Sequence, residues 1–246
     1  MPSRRPGFGD LCFAVRYLTI LPVPAGGSLG PATLFFPAVG LLIGAAAVAV
    51  DRMAADMPGE ARALLAAAVL AAMTGGRTWV GVARTAASLG FGRDRARAVE
   101  SMQAAGASIA GILAATAVLV CKLWFLWRPG PLRSLALLFS PMLARWAMVV
   151  VAFSARRASA GAPGPRFEPG LTFTEFGWTS VMAVGLLLAF LDAGGLIAFL
   201  SVAALAIGIR LALHRWIGGV NTPTLWASVE IAEVAAFAAF AAVGIR

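Results

Sequence analysis

The stretch TGGRTWVGVARTAASLGFGRDRARAVESM, from Thr74 to Met102, carries the richest chemistry in this chain. Its glycines let backbone approach a ligand closely, Thr85 offers a hydroxyl, and its far end is basic. Those are the parts of a catalytic loop, yet it is poor in carboxylates. Asp94 and Glu100 are the only acids in the stretch. Arg77, Arg84, Arg93, Arg95 and Arg97 offer a different route, a metal-free anion site built from guanidinium forks. Arg93 to Arg97 also read simply as a solvated loop.

A second group lies in apolar surroundings. Glu230 and Glu233 are three residues apart in the last apolar block, and so sit on neighbouring faces of a helix. Carboxylates inside a membrane are costly and take partners. Arg145 also lies inside an apolar block, so Arg145 or Lys122 is expected to pair with one of these glutamates as an internal polar clamp. His214, the only histidine, has no carboxylate in view to make it a base, and Cys12 and Cys121 form no CxxC or CxxH spacing. No metal site is expected from these residues. Trp79, Trp124 and Trp127 read as packing or interfacial residues.

The elements that must position these groups follow from composition. Of 246 residues 60% are hydrophobic and 13% charged, with a mean hydropathy of +0.86. A soluble domain carries about a quarter charged residues. The apolar residues fall in blocks of roughly the length that crosses a hydrocarbon core of about 30 Å. The fold class is therefore all-α, a polytopic transmembrane bundle of about seven spans forming a single membrane domain over residues 1–246. The spans are expected at Leu34–Val50, Ala61–Val80, Ala104–Trp127, Leu135–Phe153, Trp178–Leu191, Gly194–Leu213 and Leu225–Val243. The fifth is short, and is tilted, re-entrant, or joined to the sixth through Asp192 to Gly195. Ahead of them, Phe8–Leu21 reads as an interfacial helix that carries Arg16 and stops at Pro22.

The net charge is +9, nearly all arginine, with Lys122 the sole lysine. A nucleic-acid surface would need a solvated basic face, whereas these arginines sit in short loops between apolar blocks. The expected partner is the lipid bilayer, with other membrane subunits possible as neighbours and nucleic acid excluded. With a cytoplasmic N-terminus the inside loops hold Arg4, Arg5, Arg16, Arg84, Arg93, Arg95, Arg97, Arg156, Arg157, Arg166, Arg210 and Arg215. The outside loops then hold only Arg52, Arg62, Arg128, Arg133 and Arg246, which is the positive-inside arrangement. The expected location is the bacterial inner membrane.

Four stretches resemble the cobalamin synthase family, the adenosylcobinamide-GDP ribazoletransferases. Tyr17 to Pro24 (YLTILPVP) is similar to that family's FLT-x-LPVP opening, and Phe35 to Gly44 (FFPAVGLLIG) to its FFPLVGLLIG. The Thr74 loop is the third. The fourth runs from Ile217-Gly218-Gly219 through Ala227 to Glu230 and Glu233, following the family's LGG-x-TGD-x-x-GA-x-x-E-x-x-E ending. The resemblance implies an enzyme that joins α-ribazole, or its phosphate, to the cobinamide of adenosylcobinamide-GDP with release of GMP, assisted by Mg²⁺.

It also implies where the acids should be. In the family's TGG-x-H-x-DG-x-AD-x-AD motif, Thr74, Gly75, Gly76, Gly81, Ala83 and Ala86 keep the frame. The histidine position falls on Thr78 and the three aspartates on Val80, Arg84 and Ala87. A further family aspartate falls on Ala104, and the aspartate of TGD falls on Pro223. Arg84 puts positive charge where a dication would sit. At 4 Å and an effective dielectric of 20 that repulsion is about 4 kcal/mol per unit charge.

The expectation is therefore a diverged family member, noncatalytic, serving as a scaffold or accessory subunit of a membrane complex. No cofactor is expected, and Mg²⁺ enters only with surviving family activity. Two alternatives stand beside it. One is an active adenosylcobinamide-GDP ribazoletransferase, and the other a corrinoid-, tetrapyrrole- or lipid-binding protein, which needs no carboxylates.

Overall fold

The computed structural model describes residues 7–24, 26–92, 94–104, 108–128, 130–160 and 171–244. Helix α1 (Phe8–Leu18) is too short to span, at about 16 Å for its length. Its first turn is organised by Asp10, a buried carboxylate that accepts from Gly7 N at 2.9 Å and from Ser28 N at 3.0 Å. That second bond ties α1 to the start of the short α2 (Leu29–Ala32), which runs through a 3₁₀ turn at Thr33–Phe35 into α3 (Phe36–Met53). The remaining helices are α4 (Gly59–Thr74), α5 (Arg77–Ser88), α6 (Arg95–Gln103), α7 (Ile109–Trp127), α8 (Arg133–Ala152), α9 (Phe173–Ile217) and α10 (Thr222–Val243).

Six helical segments are long and apolar enough to cross a membrane: Leu29–Met53, Ile109–Trp127, Arg133–Ala152, Phe173–Leu191, Gly194–Ile217 and Thr222–Val243. The bent pair α4 and α5 passes the same test only when taken together, as a broken span or a re-entrant loop. The span expected at Ala61–Val80 is thus not one straight rod, because the chain turns by 84° after Thr74. The cause is the glycine pair, with left-handed φ values of 61° at Gly75 and 68° at Gly76. Their N–H groups donate to Ala72 O and Ala71 O, both at 3.0 Å, and close the end of α4. Apolar composition continues to Val80 while the backbone has already turned.

Helix α9 resolves the short fifth block differently. Its 45 residues remain helical through Asp192 and Ala193, joining the fifth and sixth spans. A Cβ placed on Gly195 would lie 2.8 Å from the Leu187 carbonyl oxygen. Eight residues along a straight helix span about 12 Å, so the rod bends sharply here.

Helix α8 is the centre of the bundle, with every residue from Phe139 to Ala152 buried, and it packs against α3, α9 and α10. Close approach comes from small residues, since lipid supplies no hydrophobic drive between helices. A Cβ on Gly40 would sit 2.5 Å from Met142 Cα, so α3 lies directly on the α8 backbone.

Contacts sort the loops into two ends. At one, Arg77 reaches Tyr17 O, Trp216 donates to Gly92 O, and Ala158 N and Val220 O meet at 2.8 Å. At the other, Arg62 and Arg133 converge on Asp51, and Gly194 approaches Val243. Successive segments run between these ends alternately. The first end carries Arg16, Arg77, Arg84, Arg95, Arg97, Arg156, Arg157 and Arg215, and the second Arg52, Arg62, Arg128 and Arg133.

Candidate functional site

The turn at Gly75-Gly76 aims α5 across the first end of the bundle, where it lies against the start of α10. Gly81 permits the contact: a Cβ there would meet Trp226 Cβ at 2.6 Å, Ala227 N at 2.7 Å and Pro223 O at 2.8 Å. Residues 77, 80, 81 and 84 recur at helical spacing and share one face. With Gly75, Thr222, Pro223 and Trp226 they line a cavity of about 210 Å³. A second cavity of about 530 Å³ adjoins it, lined by Phe13, Arg16, Tyr17, Arg77, Thr222 and Trp226.

Arg77 stands between the two cavities and is held in place. It donates to Tyr17 O at 2.6 Å, and its guanidinium lies 5.8 Å from the centroid of the Trp226 ring. Tyr17 stacks on Trp226, with ring centroids 5.6 Å apart. Arg84 is half-buried and makes no hydrogen bond or ion pair among the described residues. Three guanidiniums therefore face these cavities, and no carboxylate lines either one.

The other basic and motif residues lie elsewhere. Arg95 donates to Arg215 O at 3.4 Å, and Arg97 pairs with Asp94 at 3.4 Å. Ala104 caps α6 and borders a separate surface pocket with Arg97 and Glu100. Arg93 lies outside the described residues. Thr78 is buried on α5, while Ala87, one turn beyond Arg84, does not line the cavity. Arg16, Thr222, Trp226 and Phe13 are members that sequence reasoning missed. Arg16 reads as an interfacial charge until α1 is seen packed on α2 and α3 with Tyr17 stacked on Trp226 of α10.

Deeper in the bundle, Lys122, Arg145, Glu230 and Glu233 form one network, each of the four buried. Lys122 pairs with both glutamates, at 3.0 Å for Glu233 and closer for Glu230, and Arg145 pairs with Glu233. Trp79 Nε1 donates to Glu230 at 3.0 Å, so α5 is bound to the same cluster. The two cations and two carboxylates balance in charge, as buried ionic groups require. Arg145 also donates to Pro141 O at 3.2 Å, one turn earlier in α8. A second cluster went unread in the sequence. Asp51, buried at the opposite end, binds Arg62 and Arg133, each at 2.7 Å.

Comparison with known proteins places the cavity in a family. The sequence profile of a family described as cobalamin-5-phosphate synthase matches residues 10–241. This chain belongs to the cobalamin-5-phosphate synthase family. It is 33% identical to an adenosylcobinamide-GDP ribazoletransferase of Roseiflexus sp. (strain RS-1), over 94% of this chain and 88% of the relative. A protein of the same description from Herpetosiphon aurantiacus is 31% identical, covering 94% of this chain and 96% of its own length. A third, from Pseudomonas paraeruginosa, is 30% identical over 96% of this chain and 99% of the relative. No solved structure matches the chain.

For a cobalamin-5-phosphate synthase family member the question is whether these residues fit Mg²⁺. Positions 80, 84 and 223, where the resemblance places family aspartates, line a single cavity, as residues of one metal site should. They bear an apolar side chain, a guanidinium and a proline. None offers the anionic oxygen that a hard dication requires. Among the described residues no three His, Cys, Asp or Glu side chains are grouped to hold a metal. The two glutamates of α10, Glu230 and Glu233, are already taken up by Lys122, Arg145 and Trp79. The residues do not fit the ion.

Proposed function

We propose that this chain is a noncatalytic member of its family, retained as a scaffold or accessory subunit of a bacterial membrane complex. The cavity beside α5 carries the reading: Val80, Arg84 and Pro223 meet there and supply no metal ligand. The framework around it is kept, from the Gly75-Gly76 turn to the Gly81 contact. The outer face of α7 is apolar and open, with Ile109 79% and Leu113 64% exposed. Lipid or a neighbouring helix covers a face of that kind. The distribution of arginines between the two ends supports an inner-membrane location with the α1 end cytoplasmic.

The test is transfer itself. Purified protein given adenosylcobinamide-GDP, α-ribazole and Mg²⁺ is expected to release no GMP, and the gene is expected not to rescue a strain lacking a working synthase. GMP release that requires Mg²⁺ would overturn the reading. A second reading, an active ribazoletransferase, draws on the activity for which relatives matching over 94% of this chain are named. The same assay decides between the two.

A further inference from the structure

We propose that the cleft between α1, α5 and α10 binds the phosphate group of a phosphate ester, with guanidiniums standing in for a metal ion. This rests on the reading that the metal chemistry is lost, and names the ligand class of the same site. Arg84 is the starting point. A guanidinium carries five donors, and this half-exposed one has no protein acceptor among the described residues, which leaves its donors available to a ligand. It lines the cavity together with Arg77, whose orientation is fixed by Tyr17 O and the Trp226 ring. Fixing one side of Arg77 lowers the entropy lost when its other donors grip a ligand. Arg16 extends the basic lining into the adjoining cavity.

The start of α10 acts in the same direction. Its Asn221 cap accepts from Thr224 N at 3.1 Å, and Pro223 has no N–H. Thr222, which lines both cavities, thus offers its backbone N–H and hydroxyl at the positive end of a 22-residue helix. No carboxylate opposes these groups in either lining. Volumes of about 210 and 530 Å³ suit a small ligand rather than a macromolecule. Two sources present that chemistry at a membrane end, a soluble nucleoside diphosphate and a phospholipid headgroup.

The experiment uses the full chain in phosphatidylcholine nanodiscs with EDTA, titrated calorimetrically with inorganic pyrophosphate and with GDP. Saturable binding is expected, not tightened by Mg²⁺. It should weaken about tenfold or more in Arg84→Gln and in Arg77→Gln, the loss expected for one charge-assisted contact. Arg84→Lys should retain much of it. Arg97→Gln should leave it unchanged, because that side chain pairs with Asp94 away from the cleft. Repeating the titration in nanodiscs containing phosphatidylglycerol separates the sources. Competition assigns the site to a headgroup and undiminished binding assigns it to a soluble ester; each supports the shared chemistry. Three results overturn the proposal: no binding in EDTA, binding only with Mg²⁺, or binding that persists in both Arg84→Gln and Arg77→Gln. GMP release on the same preparation reports separately on the noncatalytic reading, so either can fail alone.

Discussion

Replacing Glu233 with Gln probes the buried ionic network with little change of shape. The wild-type cluster sets two carboxylates against two cations, and Glu233 is the member that touches both Lys122 and Arg145. Neutralising it leaves Lys122 with Glu230 alone and Arg145 with only the Pro141 carbonyl, inside a site closed to water. Breaking a buried pair by removing one partner costs about 3–5 kcal/mol. For a chain of this size each kcal/mol shifts Tm by about 2–4 °C, which gives a loss of roughly 6–20 °C. Glu230→Gln should cost less: Lys122 loses its closer carboxylate but keeps Glu233, Arg145 is untouched, and the Trp79 N–H retains an amide acceptor. Thermal unfolding in detergent, followed by size-exclusion fluorescence, measures both variants. Removing both partners in Glu233→Met with Arg145→Met should recover part of the loss, as a hydrophobic pair of similar volume often does. A Glu233→Gln protein that melts within a degree or two of wild type, at unchanged membrane expression, refutes the clamp.

At the opposite end, Asp51→Asn should cost about 1–3 kcal/mol. That is less than the central network because Arg62 and Arg133 remain 27% and 14% exposed and can turn to water. The same melting assay checks the ranking. Alternation of the segments between two ends predicts that the C-terminus lies across the membrane from α1. A reporter active only outside the cytoplasm should therefore work when fused at the C-terminus and fail at the N-terminus. The opposite pattern would invert the orientation, and activity at both ends or neither would remove one crossing.

Much of this was legible because membrane solvation is unforgiving. Long apolar runs could only be spanning helices, and Arg145, Glu230 and Glu233 stood out because charge inside such a run demands a partner. The 84° turn was hidden because hydropathy averages across Gly75-Gly76, whereas the turn depends on the φ of two residues. Asp51 escaped for another reason. It ends an apolar run, so it read as a loop charge, and one of its partners is 82 residues away. Arg95 and Arg97 share a stretch of sequence with Arg77 and Arg84, yet α6 carries them off on another face. Arg16 entered the cleft only through the docking of α1, which no local spacing announces.

The glycine elbow has one more consequence. Because α5 takes its direction from backbone torsions and a glycine-mediated helix contact, the residues facing the cleft contribute little to holding it there. Such a face can exchange anionic side chains for cationic ones while the scaffold stays intact. The architecture thus separates evolvability of the ligand from heritability of the shape, and relatives that differ in what they bind should still superimpose through the elbow.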